Sequence, residues 1–222
     1  MSTFALMMRE AWVEVRAGLR SGIPLLVFLG LAGYLLMSLT NADYVQKMGA
    51  SDIPRNAPSL IYLMACGCMF FLFFAWAWVF AQPALRDRKA QLEEVLLALP
   101  VSLPALLWGR FIGAAVVAGL LASSLIVGFL LSPILGWLGW VPVASIGAPA
   151  WSALGFAWVA LLLPVSTGVG ALYYLLALRS RGLAAPFALA TGFMLLWMFA
   201  VVVLKGGHIN PLLAASLDPS LF

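Results

Sequence analysis

Five long apolar runs constrain this chain more than any other feature of its sequence. The runs cover residues 22–40, 59–82, 103–131, 151–178 and 184–204, and none contains Asp, Glu or Lys. The hydrocarbon core of a bilayer is about 30 Å thick, so a helix rising about 1.5 Å per residue crosses it in roughly 20 residues. The alternating apolar and polar residues of a membrane barrel strand are missing. The sequence therefore predicts an all-α membrane protein with five transmembrane helices.

The positions of Lys and Arg predict the orientation of these helices, because short cytoplasmic loops are enriched in both residues. An N-terminus inside the cell puts nine of the twelve basic residues on the cytoplasmic side. The nine are Arg9, Arg16, Arg20, Arg86, Arg88, Lys89, Arg110, Arg179 and Arg181, and the outer three are Lys47, Arg55 and Lys205. The net charge of +4 is thus explained by topology and by contact with anionic lipid headgroups, and it gives no reason to expect a nucleic-acid partner.

Residues 1–20 predict an amphipathic helix that lies in the membrane interface. At 100° per residue, one side of this helix collects the apolar residues Phe4, Met8, Ala11, Trp12, Val15 and Leu19. Arg9, Arg16 and Arg20 form a stripe beside them, and Glu10 and Glu14 lie on the far side. Such a helix places Trp12 among the headgroups and its Arg side chains near phosphates. A simple positively charged anchor for the first span is the alternative interpretation.

The segment LRDRKAQLEEVLLALP, residues 85–100, holds six of the chain's twenty charged residues and separates the second and third apolar runs. Pro83 suits the first turn of a helix and Pro100 disfavours helical geometry before it, so we predict one amphipathic helix over residues 83–100. Its polar face carries Arg86, Asp87, Gln91, Glu93 and Glu94. We expect this helix to lie flat under the bilayer with the charged face towards the cytoplasm. A solvated connector is the other interpretation.

The sequence LRDRKAQLEEVLLALPVSLPALLWGRF, residues 85–111, resembles the signature region of permease subunits of ATP-binding-cassette transporters, type-2 exporter family. In that family an N-terminal interfacial helix precedes the first span, and the loop between spans two and three is a coupling helix that docks on a nucleotide-binding subunit. The resemblance implies an ATP-driven exporter in the bacterial inner membrane, built from two permease halves that form a homo- or heterodimer.

The same resemblance implies roles for individual residues. It implies that Asp87, Glu93 and Glu94 are acidic coupling residues, and that Arg16 and Arg20 form the basic edge of the interfacial helix. No substrate can be read from the sequence, although the lack of charge inside the spans favours an apolar, amphiphilic or polymeric one over an ion. The alternative hypothesis is a non-transporting membrane anchor or assembly subunit of a larger complex.

The number of spans departs from the family pattern, because members typically have six spans in each half. Residues 205–222 are too short, and too interrupted by Gly and Pro, to cross a bilayer. We therefore expect an external tail and a permease half that ends before its sixth span. The tail and the GRFIGA segment are also similar to a subgroup in which such a half is followed by more membrane helices and a zinc aminopeptidase domain.

The sequence contains no phosphate-binding loop, which needs Gly-x-x-x-x-Gly-Lys followed by Ser or Thr. Its three lysines are followed by Met48, Ala90 and Gly206. We therefore predict that the chain is not an enzyme and holds no cofactor, and that ATP and Mg²⁺ are bound by the partner subunit. Cys66 and Cys68 are predicted to be packed thiols and His208 a surface residue, so no metal site is expected.

Small residues and one proline predict local packing inside the spans. Gly109 and Gly113 form a GxxxG pair, which suits the close approach of another helix. Arg110, between them, lies near the start of the third span, from where its long side chain is expected to reach the interface. Pro164 predicts a bend in the fourth span, with the hydroxyls of Ser166 and Thr167 available to the freed backbone groups.

Overall fold

The computed structural model describes residues 2–41, 53–91 and 102–205, with side chains at all of these except 89 and 200–205. Helices and the turns and loops between them make up all of this described part. The α-helices are α1 (Thr3–Arg20), α2 (Ile23–Thr40), α3 (Pro58–Lys89), α4 (Leu103–Ala122), α5 (Ser124–Trp137), α6 (Trp151–Phe156), α7 (Leu163–Ser180) and α8 (Ala184–Lys205). A 3-10 turn covers Val143–Ser145, and a π-helical segment, Ala157–Leu162, joins α6 to α7.

Four helical segments within the described ranges are long and apolar enough to cross a membrane. They are Ile23–Thr40, Pro58–Arg88, Leu103–Trp137 and Trp151–Ser180. α8, Ala184–Lys205, has 22 residues and contains the fifth apolar run. The predicted all-α class and the multi-pass membrane character are confirmed, with four to five helices of spanning length.

α3 passes through Pro83 and ends at Lys89, so the structure has no helix end at residue 82, where the sequence predicts one. Proline removes one helical hydrogen bond, and tertiary packing offsets that loss here. Beyond it, Leu85 is buried in a small apolar cluster with Ala81 and Ala177.

The sequence predicts one separate helix over residues 83–100. In the structure, up to residue 91, residues 83–89 are instead the last part of α3. Ala90 and Gln91 form a turn after α3, and Gln91 has a left-handed backbone with φ of 55°. A residue with a left-handed backbone does not continue a right-handed α-helix, so α3 ends before Gln91. Glu93, Glu94 and the rest of the predicted segment lie outside the described residues.

The third and fourth predicted spans are each interrupted. Ser123 separates α4 from α5 in the third span. In the fourth, a π-helical segment immediately precedes α7, of which Pro164 is the second residue. A π turn widens the helix and accommodates the carbonyl groups that lose a partner near a proline. Thr167 Oγ1 donates a hydrogen bond of 3.1 Å to the carbonyl of Pro164, three residues earlier in the same helix.

Contacts within the chain divide it into two compact units. Unit one consists of Met1–Leu26, Leu72–Leu121 and Pro164–Phe193, and unit two consists of Val27–Phe71, Ala122–Leu163 and Met194–Phe222. The core of unit one includes the fully buried aromatic residues Trp76, Phe80 and Tyr173. The core of unit two is aliphatic and includes Leu35, Leu39, Leu60, Ile61 and Met64.

Asn56 holds a loop of unit two in place just before α3. Its side-chain Nδ2 donates hydrogen bonds to the carbonyls of Gly147 (2.5 Å) and Ala148 (3.0 Å), and its Oδ1 accepts one from the Gly147 N–H (2.8 Å). The neighbouring Arg55 N–H donates to the Ser145 carbonyl at 2.8 Å. Because Asn56 is buried, these bonds replace the water that the loop backbone would otherwise need.

Candidate functional site

α1 packs closely on α4 through the two glycines that the sequence singled out. A Cβ atom at Gly109 would lie 2.5 Å from the carbonyl oxygen of Met7, and one at Gly113 would lie 2.6 Å from that of Ala11. Real Cβ atoms do not approach backbone oxygens so closely. The GxxxG pair therefore lies directly against the backbone of α1, and a side chain at either position would push the two helices apart.

The opposite side of α1 is exposed. Its apolar stripe includes Phe4, Trp12 and Leu19, all of them exposed, and the predicted basic residues Arg9, Arg16 and Arg20 are exposed too. The acidic residue Glu14 is buried instead. A helix in water would bury its apolar side, so this reversed arrangement supports the predicted position of α1 in the membrane interface.

Five charged side chains meet where α1, the end of α3 and the beginning of α4 come together, and we call this set the charge cluster. It consists of Glu10 and Glu14 from α1, Arg86 and Asp87 from α3, and Arg110 from α4. Every one of these residues belongs to unit one.

Two short ion pairs hold the charge cluster together. Arg110 donates to both carboxylate oxygens of Asp87, at 2.5 and 2.7 Å, which is the bidentate arrangement in which a guanidinium binds a carboxylate most strongly. Arg86 donates to Glu14 Oε2 at 2.6 Å. Arg110 Nε also lies 3.7 Å from Glu10 Oε2 and 3.9 Å from Glu14 Oε1.

These ion pairs are important for stability because their charged groups are buried. The side chains of Arg110 and Glu14 are only 6% and 4% exposed, and a charge removed from water is costly unless it is paired. Burial raises the pKa of Glu14 from 4.5 to about 7, although the positive charges of Arg86 and Arg110 oppose that rise. With three carboxyl groups and two guanidinium groups, the cluster has one more acid than base.

The structure corrects two sequence interpretations of these residues. Arg110 was expected to reach the interface, but it is buried against Asp87, because a bidentate partner is available within reach. Arg86 and Asp87 were expected on an open charged face, but both bind partners inside the chain. Gln91 is exposed as predicted, while Glu93 and Glu94 lie outside the part of the chain that the structure describes.

Aromatic contacts join α7 to α3 and α4. Tyr174 donates a hydrogen bond of 3.1 Å from its hydroxyl to the Leu107 carbonyl in α4. The ring of Phe111 lies between those of Phe80 and Tyr174, at centroid distances of 5.5 and 5.8 Å. Gly170 faces the Phe80 ring so closely that no side chain fits there. Apolar periodicity alone gave no sign of these contacts, which join three helices.

The described residues offer no arrangement of side chains that could bind a metal ion. No group of three or more His, Cys, Asp or Glu side chains in those ranges is placed to hold an ion. Cys66 and Cys68 are buried thiols of α3, and His208 lies in the segment that the structure does not describe.

Comparisons of the chain with protein-family models, with curated proteins and with solved structures found no match. Fold and site together define the class of protein: a multi-pass α-helical membrane protein in which a buried charge cluster fastens an amphipathic N-terminal helix to two of the long helices.

Proposed function

We propose that the chain is the permease subunit of an ATP-driven exporter in the bacterial inner membrane, with its N-terminus in the cytoplasm. A separate ATP-binding-cassette subunit would bind ATP and Mg²⁺, and a second permease half would complete the transport path. The observation that supports this function best is the charge cluster, because it joins three helices directly beside the charged segment that the family resemblance assigns to the ATPase subunit.

The charge cluster provides a means of transmitting movement from the segment after α3 to α1 and α4. Arg86 and Asp87 lie in the last turns of α3, a few residues before the turn at Gln91. A displacement of the segment after that turn would move the end of α3, and the ion pairs would carry α1 and α4 with it. Buried pairs are screened by salt much less than exposed ones, so this connection would hold at cellular ionic strength.

The docking contacts are assigned to residues of the charged segment other than Arg86 and Asp87. Arg86 and Asp87 already have partners inside the chain, so we assign contact with the ATPase subunit to Gln91, Glu93 and Glu94. Exposed ion pairs contribute little singly, about 0–1 kcal/mol, but reversing two charges sets like signs against each other and costs several times more.

Co-purification tests this assignment. The chain is purified in mild detergent together with the ATPase subunit, as the wild type and as the variant carrying Glu93→Lys and Glu94→Lys. We expect the variant to insert normally and to lose the ATPase subunit. A matched control carries Asp43→Lys and Asp52→Lys, the same change of charge in the loop predicted on the outer side, and it should keep the subunit. Equal recovery with all three proteins would contradict the exporter function.

A second candidate, a membrane anchor or assembly subunit, is favoured by one observation. The charged residues at the end of α3 fasten the chain to itself, as a purely structural clamp would do. An anchor would keep its partner when Glu93 and Glu94 are reversed, and its partner would hydrolyse no ATP. The co-purification experiment therefore separates the two candidates.

A further inference from the structure

A groove of about 370 Å³ runs between the beginning of α4 and the end of α7, within unit one. Its volume lies in the range of small-molecule sites, about 300–1,000 Å³. Trp108 and Leu175, which line it, are 60% and 62% exposed, so the groove is open to the surroundings of the helices. Both helices belong to segments long and apolar enough to cross a membrane, where those surroundings are lipid.

The lining of the groove is apolar and is held in place by contacts within the chain. The ring of Phe111 lies between those of Phe80 and Tyr174, and it also contacts Trp108 edge-on at a centroid distance of 5.9 Å. Tyr174 carries the one hydroxyl of the lining and donates it to the Leu107 carbonyl. The groove therefore offers packing to a hydrocarbon chain rather than hydrogen bonds to a polar ligand.

The position of the groove along the helices matches the level where headgroups meet hydrocarbon. α4 begins at Leu103, and Trp108 lies in its second turn, as expected for a residue type enriched at the membrane interface. Leu175 and Leu178 line the groove from the last two turns of α7, which ends at Ser180. A lipid with an acyl chain in the groove would therefore have its headgroup beside the end of α7.

Two exposed cations lie at that end of the groove. Arg179 is one helical turn after Leu175, and Arg181 is three residues after Leu178. The described part of the chain contains three carboxyl side chains, all of them in the charge cluster, and none forms an ion pair with either arginine. A second copy of the chain would bring the same two cations and, from its described residues, no free carboxylate. The anion that fits here is therefore one that the membrane supplies.

We propose that this groove binds an anionic phospholipid, with one acyl chain between α4 and α7 and the phosphate at Arg179 and Arg181. Basic sites between membrane helices bind such headgroups, and guanidinium groups form strong charge-assisted hydrogen bonds with phosphate. A choline headgroup brings a cation of its own towards the two arginines, so it is bound less well. This site does not depend on the proposed exporter function.

Native mass spectrometry of the purified full-length chain tests the proposal. The protein in detergent receives equal amounts of phosphatidylglycerol and phosphatidylcholine with identical acyl chains, and the lipids retained on each chain are counted. We expect phosphatidylglycerol to be retained in several-fold excess, because only its headgroup has a net negative charge. Equal retention of the two lipids would overturn the proposal.

Charge variants assign the excess to this end of the groove. Arg179→Gln with Arg181→Gly should make the retention of the two lipids nearly equal. The backbone of residue 181 is left-handed, with φ of 58°, and this conformation suits glycine, so the variant should unfold no more easily than the wild type in detergent alone. Arg16→Gln with Arg20→Gln removes the same charge from the exposed basic stripe of α1 and should keep the excess. Equal losses in both variants would contradict a site at α7.

Variants of the apolar lining test the place of the acyl chain. Ala171→Phe fills the groove without a change of charge and should remove most of the retained phosphatidylglycerol, while Leu172→Phe, at an exposed position of α7 outside the lining, should keep it. An undiminished excess in Ala171→Phe would contradict the groove. A protein dimer that Ala171→Phe separates, without a lipid excess in the wild type, would assign the groove to a second copy and overturn the proposal. Displacement of the lipid by an equal concentration of water-soluble glycerophosphate would assign the site to a free anion and also overturn it.

Discussion

Arg110 and Asp87, from different helices, form a bidentate ion pair with N–O distances of 2.5 and 2.7 Å. The pair joins the beginning of α4 to the end of α3, and Glu10 and Glu14 of α1 lie close to the same guanidinium. Because Arg110 is buried, its charge depends on these carboxylates for nearly all of the stabilisation that water would otherwise provide.

Arg110→Met should destabilise the protein severely. The change leaves three carboxyl groups close together with only Arg86 to balance them, and breaking a buried pair in this way costs about 3–5 kcal/mol. The measurement is the free energy of unfolding in detergent. Arg179→Met, at an exposed position near the end of α7, is the matched control and should change it by about 0.5 kcal/mol or less. If Asp87→Asn added to Arg110→Met costs as much as it does alone, the two residues are not coupled.

The raised pKa of Glu14 predicts a dependence of stability on pH. Between about pH 4.5 and about pH 7 the folded protein holds a proton on Glu14 that the unfolded chain has released, so the contribution of this residue to stability falls as the pH rises. Wild-type protein should therefore lose stability relative to Glu14→Gln from pH 5 to pH 8, by on the order of 3 kcal/mol at most. If the free energies of unfolding of the wild type and of Glu14→Gln changed by the same amount from pH 5 to pH 8, the prediction would be wrong. Glu10→Gln keeps Glu14 and its burial, which is the main cause of the raised pKa, and removes only the smaller contribution of the Glu10 charge, so it should keep most of this dependence.

Gly113→Ala should loosen α1. The new Cβ atom would lie 2.5 Å from Glu14 Cβ and 2.6 Å from the Ala11 carbonyl oxygen, so the helices must separate, and overpacking of this kind costs about 1–3 kcal/mol. Gly33→Ala in α2 is the control, because nothing lies within 4 Å of a Cβ there. The control should be neutral or slightly stabilising, since Ala is the better helix former. Proteolysis near residue 20 and the unfolding free energy report the difference, and equal behaviour of the variants would contradict close packing.

The sequence predicted the positions of the long helices well and their partners poorly. The first run, 22–40, corresponds to α2 (Ile23–Thr40), because bilayer thickness and apolar composition together fix where such a helix begins and ends. Periodicity also placed Glu14 away from the apolar stripe of α1 correctly. What periodicity cannot show is which helix receives that acidic side, since a helical wheel relates only residues of one helix.

Local rules failed where tertiary contacts outweighed them. Proline is a good first residue of a helix, so Pro83 suggested a boundary, but packing of Leu85 and the ion pairs of Arg86 and Asp87 keep α3 continuous. Arg110 near the start of an apolar run suggested an interfacial side chain, because its partner on another helix could not be seen in the sequence. The same limit hid the hydrogen bonds of Asn56, which join residues about 90 positions apart.

Asn56 provides a prediction for unit two. Asn56→Ala removes three hydrogen bonds from the loop at residues 147–148 and should cost about 1–3 kcal/mol of stability. Asn56→Asp keeps the acceptor for the Gly147 N–H but sets an anion against two carbonyl oxygens, so it should be at least as damaging at neutral pH. The unfolding free energies of the two variants provide the test, and near-wild-type stability of Asn56→Asp would contradict the role of the side-chain amide.

Transmission of movement through the charge cluster is the central claim, and ATP hydrolysis tests it most directly. The proposed ATPase subunit is assayed alone, in complex with the wild-type chain, and in complex with Asp87→Asn, which weakens the bidentate pair and leaves residues 91–94 unchanged. We predict that the subunit still binds the variant, but that its hydrolysis rate returns to that of the free subunit. A variant complex that hydrolyses ATP at the wild-type rate, different from the rate of the free subunit, would contradict transmission through the cluster.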